Sequence, residues 1–393
     1  MGIATEQQRN RPHGFHVVDQ LNRLTRAEAP RSSDRELFDS LHDSLRCASS
    51  AATSVWWQVQ SRNKRSITLD LRDPECQDIV RSLIVDADVL IENFKPGTLE
   101  SWGLGWPELS AINRALIMLR VSGFGQDGPY RNQPGFGVIG EAMGGLRHLT
   151  GEPGRLPVRT GISIGDTIAA LHGVIGVLLA LYHRKVNGGH GQVVDVALYE
   201  SVFNCMESLL PEFSVFGAIR EASGSALPGI APSSAYPCSD GTVLVAGNGD
   251  SIFKRLMKLT GRDDLGGRED LASNEGRVKN VAEIDAAIGL WAANKTVADA
   301  LALLLKAQVP ASRIYTAKDI FEDPQYRARG MIQRMATRDG YELDVPGIVP
   351  KLSETPGAIR SPAPRLGENT AEVLDSCGVS LERQKGLAAR KAI

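Results

Sequence analysis

Ile67-Thr-Leu-Asp-Leu71, then Asp73-Pro74-Glu-Cys-Gln-Asp-Ile-Val-Arg-Ser-Leu-Ile84, then Val89-Leu-Ile-Glu-Asn-Phe94 is the passage that decides the fold. Its first segment alternates apolar and polar residues as a half-buried strand does. Asp73 followed by Pro74 supplies an N-cap and a first-turn proline, so a helix is predicted from about Glu75. Val89 to Phe94 reads as a second strand. After Lys95-Pro96-Gly97 a helical pattern reaches Asn113, and Leu116 to Val121 is a third short apolar run that ends in glycines. Strand, helix, strand, helix, strand with short connections predicts an α/β fold, a parallel sheet covered by helices whose ligands gather at the carboxyl ends of the strands.

Outward from this core, a glycine- and proline-rich stretch runs from Gly123 to Gly165 and leads into a long helix from about Asp166 to Arg184, closed by Asn187-Gly188-Gly189. Its apolar part, Ile168 to Tyr182, falls short of the roughly 20 apolar residues of a membrane span, so it is expected to be a buried helix. Val193 to Leu198 resumes strand character. Residues 223 to 239 are rich in Ser, Pro and Gly and read as a linker into a smaller domain. That domain opens with the strand Thr242 to Ala246 and has helical patterns around Ile252 to Thr260 and Val281 to Ala292. The tail from Pro346 reads as extended and proline-punctuated. A chain of 393 residues is long for one core, so two domains are expected, with boundaries at 1–222 and 223–325.

Charge excludes some partners. With 44 basic and 46 acidic residues, the net charge of -2 provides no global field for nucleic acid or an anionic membrane. Cys47, Cys76, Cys205, Cys238 and Cys377 are scattered, odd in number and without a CxxC pair, which points to a reducing compartment and no zinc. The first thirty residues lack the apolar segment of a secretory signal, and Glu6 and Asp19 are unusual for a mitochondrial presequence, so the cytoplasm is expected. His148, His172 and His190 lack metal-site spacing, and His172 reads as a satisfied core histidine. Trp56, Trp57, Trp102 and Trp106 stand apart from basic runs and read as packing residues.

Two motifs point to other enzyme classes and fail on context. Gly123-Phe-Gly125-Gln-Asp-Gly128 matches a dinucleotide fingerprint, but Pro129 and Pro134-Gly135 prevent the helix that the fingerprint must open. Gly161-Ile-Ser163-Ile-Gly165 matches a nucleophile elbow, but no histidine follows His190 to serve as its base. Asp166, next in line, is on position alone a helix N-cap. The same geometry suits a nucleophile, because a carboxylate in a helix's first turn is kept ionised by the helix dipole. Gly247-Asn248-Gly249-Asp250 ends a strand and reads as a turn or as a loop able to close over a reacting group. Lys64, Arg65, Arg72 and Lys95 stand near strand ends as either phosphate grips or solvated charges.

The ordered set NKRSITLDL (63–71), ENFKPG (92–97), WGLGW (102–106), VSGFGQDGPY (121–130) and GDT (165–167) resembles the family III CoA-transferases, from about Ser54 onward. The resemblance implies a Rossmann-like domain completed by the C-terminal segment 326–393, a smaller second domain, and two subunits interlocked as rings. It places the nucleophile on Asp166 and the catalytic glycine loop on Gly247, Asn248 and Gly249. It puts CoA contacts at Leu69, Asp70, Leu71 and Arg72, at Asn93, Phe94 and Lys95, and at Phe136. CoA enters as a substrate, with no metal and no permanently bound cofactor, and the partners are an acyl-CoA, a small carboxylic acid and a second copy of the chain.

By this resemblance Asp166 attacks an acyl-CoA thioester, giving an anhydride and then an aspartyl-CoA thioester, and an acceptor acid reverses the sequence. The Gly247–Gly249 loop stabilises the oxyanion and keeps water away. The runs RTGISIGDT and SALPGIAPSSAYPCSDG look closest to succinyl-CoA:dicarboxylate transferases. Phe136 stands where the related racemases carry a histidine base, which favours transfer over isomerisation. The family's first strand and helix, with a Gly-Pro turn, are not recognisable in residues 1–53, where Val17-Val18-Asp19 alone resembles a strand remnant. The altered first residues keep a catalytically impaired CoA-binding paralogue open, beside an acyl-CoA racemase, which Phe136 disfavours, and a thioesterase using Ser163.

Overall fold

The computed structural model describes residues 54–393 together with the strand His16–Val17; the remaining sequence before Ser54, including Cys47 and the Asp19 end of the strand remnant, lies outside the described residues. The chain divides into two compact units. Among the described residues one draws on 16–17, 54–140, 164–202 and 324–393, the other on 141–163 and 203–323. The stretch 141–163, which the sequence reading leaves in the large domain, thus groups with the smaller unit.

In the larger unit β1 (His16–Val17) pairs in parallel with β2 (Ser66–Ile67). β3 (Val89–Glu92), β4 (Ile117–Ser122) and β5 (Val193–Ala197) form a second parallel sheet in that order. The helix Pro74–Ile84 starts as its sequence predicts, with Asp73 accepting a hydrogen bond from Glu75 N and Pro74 in the first turn. Cys76, Ile79, Val80 and Ile84 form its buried stripe and pack with Leu69, Leu71, Leu99, Leu104, Leu109 and Met118. The core is closed by the C-terminus, because Val373, Leu374 and Leu387 join the same cluster.

Several expectations are corrected. The strand from Ile67 is two residues long within its ladder; beyond it the backbone turns to the C-terminal segment, with Thr68 N donating to Thr370 Oγ1 and Asp70 N to Ala392 O. The helical pattern up to Asn113 is two helices, Thr98–Ser101 and Trp106–Ile112, separated at Gly103, whose φ of 62° suits glycine. The tail is not wholly extended: β9 (Ile332–Ala336) and β10 (Glu342–Pro346) make a hairpin, and the helices Thr370–Ser376 and Leu381–Ala389 follow.

The long helix is Ile164–Val186, 23 residues, and it is not buried. Its small face packs down: a Cβ on Gly173 would lie 2.9 Å from Leu119 Cδ2 on β4, and one on Gly176 2.6 Å from Val194 Cγ1 on β5. Its large apolar residues face outward, with Leu171, Val174, Ile175, Leu178, Leu179 and Tyr182 all more than half exposed. By length and composition alone the helix reaches across a bilayer, contrary to the shorter span read from sequence.

The smaller unit has an antiparallel sheet of β6 (Ser233–Cys238), β7 (Gly241–Ala246) and β8 (Ala311–Arg313). β6 occupies the end of the stretch read as a linker. Phe253, Leu256 and Met257 of the helix Asp250–Thr260 and Ile284 and Ile288 of the helix Val281–Ala293 cover the sheet and fill its core.

Candidate active site

Asp166 is exposed and lies in the first turn of the helix Ile164–Val186, two residues inside it rather than at its cap. The first turn carries N–H groups without intrahelical partners and the positive end of the helix dipole, which attract an acidic side chain to this position. Gly137, the first residue of the helix Gly137–Met143, is the neighbour that matters. A methyl group there would overlap Asp166 Oδ2 and sit 2.6 Å from its Cγ. Gly137 is held in place by a second glycine contact: Gly135 backs onto Gly123 at the end of β4, where a Cβ on either would meet the other's Cα at 2.9 Å. The glycine-rich run after β4 is anchored in turn by Gly125 N donating to Ser122 Oγ and Gln126 N to Asp195 Oδ2 of β5. Phe136, next to Gly137, is 74% exposed, with its ring open to a ligand.

The segment after β3 has a buried charge cluster beneath it. Glu92 and Arg120 face each other in register on β3 and β4, with side chains 2% and 8% exposed. Glu92 Oε1 accepts from Arg120 Nε at 2.6 Å and Oε2 from the Phe94 N–H at 2.8 Å, while Arg120 Nη1 reaches Glu100 Oε1 at 2.7 Å. Burial pushes the Glu92 carboxyl up, against the opposing pull of the Arg120 guanidinium. The effect is to fasten the turn after β3: Phe94 stacks edge-on to Trp102 at 5.5 Å, and Asn93 and Lys95 are left exposed.

The residues expected near Leu69 are placed less simply. Leu69 and Leu71 belong to the hydrophobic core, so only their backbones are available to a ligand. Asp70 takes two hydrogen bonds from the Arg72 guanidinium at 2.8 Å each, and this pairing holds its carboxyl below the usual range. Among the basic candidates Arg65 reaches Glu372 at 3.3 Å, Arg72 is 80% exposed beyond its Asp70 pairing, and burial pulls the Lys64 ammonium down. His172 is part-buried, its Nδ1 3.0 Å from Ile168 O.

In the smaller unit Gly247-Asn248-Gly249 joins β7 to the helix Asp250–Thr260. Gly247 N already donates to Pro232 O at 2.9 Å, and a side chain there would meet Leu256 Cδ2 at 2.5 Å. The N–H groups of Asn248 and Gly249 donate to nothing among the described residues. No cluster of three or more His, Cys, Asp or Glu able to hold a metal occurs among the described residues. Sequence reading missed Gly137, Glu92 and Arg120. The Pro134-Gly-Phe-Gly137 run was the available signal for the first, whereas nothing in the local sequence distinguishes a buried glutamate or arginine from a solvated one.

The family model for CoA-transferase family III matches residues 39–370. The chain belongs to this family. It is therefore a CoA-transferase. Among relatives of this family III transferase, the succinyl-CoA–D-citramalate CoA-transferase of Chloroflexus aurantiacus is 46% identical over 342 residues, covering 86% of this chain and 85% of that one. The succinate–glutarate CoA-transferase of Agrobacterium fabrum is 32% identical over 82% of this chain and 80% of its own. A crystal structure of a CAIB/BAIF family protein from Brucella suis superposes with a TM-score of 0.72 at 34% identity, covering 83% of this chain and 84% of that one.

Proposed function

We propose that this transferase moves CoA from succinyl-CoA to a dicarboxylic acid, with Asp166 as the covalent carrier. The observation that carries the reading is the Asp166 carboxylate, exposed in the first turn of a long helix and pressed against the bare backbone of Gly137. The donor and the acceptor class follow from likeness to the succinyl-CoA–D-citramalate and succinate–glutarate enzymes. The Asp166 carboxylate adds to the thioester carbonyl and expels CoA thiolate, leaving a succinyl–aspartyl anhydride. The thiolate attacks the aspartyl carbonyl, releasing succinate and forming an aspartyl-CoA thioester. The acceptor carboxylate then displaces the thiolate to give a second anhydride, and thiolate attack on the acceptor's acyl carbon yields the new acyl-CoA and restores Asp166. Overall one CoA thioester is exchanged for another, so the transfer is close to balanced in free energy and needs no permanently bound cofactor.

CoA is assigned to the backbone of Leu69 to Arg72, to the turn Asn93 to Lys95 and to Phe136, and the oxyanion to the loop Gly247–Gly249. Since Gly247 N–H is committed to Pro232, the donors reduce to those of Asn248 and Gly249. Two copies of the chain form the working enzyme; the exposed apolar face of Ile164–Val186 is the surface that a second copy covers. The four described cysteines are free, which supports a reducing, cytoplasmic setting. The test is turnover of succinyl-CoA against a panel of dicarboxylates. Asp166→Ala should be folded and inactive on all of them, and an Asp166→Ala enzyme with undiminished turnover would overturn the proposal.

A further inference from the structure

Arg277 is fully buried in the smaller unit, at 0% exposure. Every donor it uses points at backbone or at one carboxylate: Nε to Ala231 O at 3.1 Å, Nη1 to Leu271 O at 3.0 Å and Ala272 O at 3.2 Å, and Nη2 to Asn248 O and Asp250 Oδ1 at 2.7 Å each. The guanidinium also lies 5.1 Å from the Phe253 ring centre. Its one charged partner, Asp250, is 69% exposed. A buried cation paired with a mostly solvated anion is a weak source of stability, but a planar fork with fixed donors is a strong source of geometry.

The surrounding sequence is built to deliver that fork. Ser273 caps the short helix Asn274–Lys279 by accepting from Gly276 N, and Asn274, one turn before Arg277, accepts from Ala231 N at 3.2 Å and donates to Gly229 O at 2.8 Å. Gly276 has no room for a side chain, because a methyl group there would overlap the Asp270 carbonyl. The helix is thereby seated against the turn that offers the Leu271 and Ala272 carbonyls.

The consequence falls on one peptide unit. Asn248 C=O and Gly249 N–H belong to the same trans peptide and point in opposite directions. Arg277 grips the carbonyl from inside the unit, so the Gly249 N–H is turned away from it, and that N–H donates to nothing among the described residues. We propose that Arg277 is a positioning residue of the transfer reaction, which holds the Asn248 carbonyl so that the Gly249 N–H is aimed as an oxyanion donor. The inference rests on the assignment of Gly247–Gly249 to the oxyanion.

The experiment compares Arg277→Lys, which keeps the charge and loses the fork, with Ile288→Val, a core substitution elsewhere in the same unit. Steady-state kinetics with succinyl-CoA, the ratio of hydrolysis to transfer, and hydrogen exchange of amides 247–253 are measured on folded protein. Arg277→Lys should lose kcat by about ten- to a hundredfold, keep KM for succinyl-CoA within about threefold, raise the hydrolysed share and speed exchange at 248–250. Ile288→Val should keep kcat whatever its melting loss. If Arg277→Lys does not fold, Asp250→Asn reads the same split with a smaller drop. Gly249→Pro separates the two levels of the argument: it deletes the N–H while the native φ of -71° suits the ring. An active Gly249→Pro sinks the assignment of the Gly249 N–H to the oxyanion, and the positioning role of Arg277 with it. An inactive Gly249→Pro beside an Arg277→Lys enzyme with wild-type kcat and wild-type exchange sinks the positioning role alone.

Discussion

Arg120→Met removes the guanidinium from beneath the turn after β3 and leaves Glu92, 2% exposed, with the Phe94 N–H as its remaining partner among the contacts described. Breaking a buried pair in this way costs about 3 to 5 kcal/mol when the orphaned charge stays ionised. Glu92 has a cheaper route, which is to take up a proton. From an unfolded carboxyl near 4.3, that costs about 1.4 kcal/mol per pH unit, so the loss is capped at about 4 kcal/mol at pH 7 and at about 2 kcal/mol at pH 5.5. The sign follows from linkage. Burial already raises the Glu92 carboxyl in wild type, and loss of the opposing Arg120 guanidinium raises it further, so the folded variant binds more protons than folded wild type and gains stability relative to it as pH falls. Urea unfolding at both pH values measures the difference, and Glu92→Leu combined with Arg120→Met should recover much of it by removing both charges. A loss below about 1 kcal/mol, or one that is the same at pH 7 and pH 5.5, would refute the reasoning that this pair is buried and coupled.

Gly137→Ala should leave melting unchanged or slightly raised, since alanine favours the helix by about 1 kcal/mol, while kcat falls about a hundredfold as the Asp166 carboxylate is displaced; kinetics alongside a thermal melt reads both. If a second copy covers the exposed face of Ile164–Val186 as proposed, Leu178→Glu should sediment as a monomer in analytical ultracentrifugation and lose turnover, whereas wild type sediments as a dimer. Arg390 holds Asp73 and Glu75 below the usual carboxylate range, so their contribution is present above about pH 4 and lost as pH falls through the lowered values. Arg390→Met should therefore melt below wild type at pH 7, with the gap closing in acid.

The parallel sheet was legible because Asp73-Pro74 and the runs at Val89 and Ile117 are local signals, each tied to a cap or to an apolar strand. What was not legible depends on partners far along the chain. Thr68 and Asp70 alternate like a strand but bond to Thr370 and Ala392, some three hundred residues away. β6 contains Ser233, Ser234 and Pro237, poor strand formers that read as linker until β7 is placed beside them. The apolar content of the long helix predicts burial, but its composition does not say which face packs. Gly173 and Gly176 are the face that meets the sheet, and the leucines are left over. Asp166 was visible from the GDT motif and its helix, whereas the burial of Arg277 in the polar run Ser273 to Asn280 has no signature in one sequence.

The most direct test of the account is to incubate the enzyme with succinyl-CoA and hydroxylamine and to map the modified peptide by mass spectrometry, in wild type and in Asp166→Ala. The account predicts a hydroxamate on Asp166 in wild type and none in the variant, because only an acylated or CoA-bound carboxylate reacts with the amine. A hydroxamate on another residue, or none in a wild-type enzyme that is turning over, would contradict it.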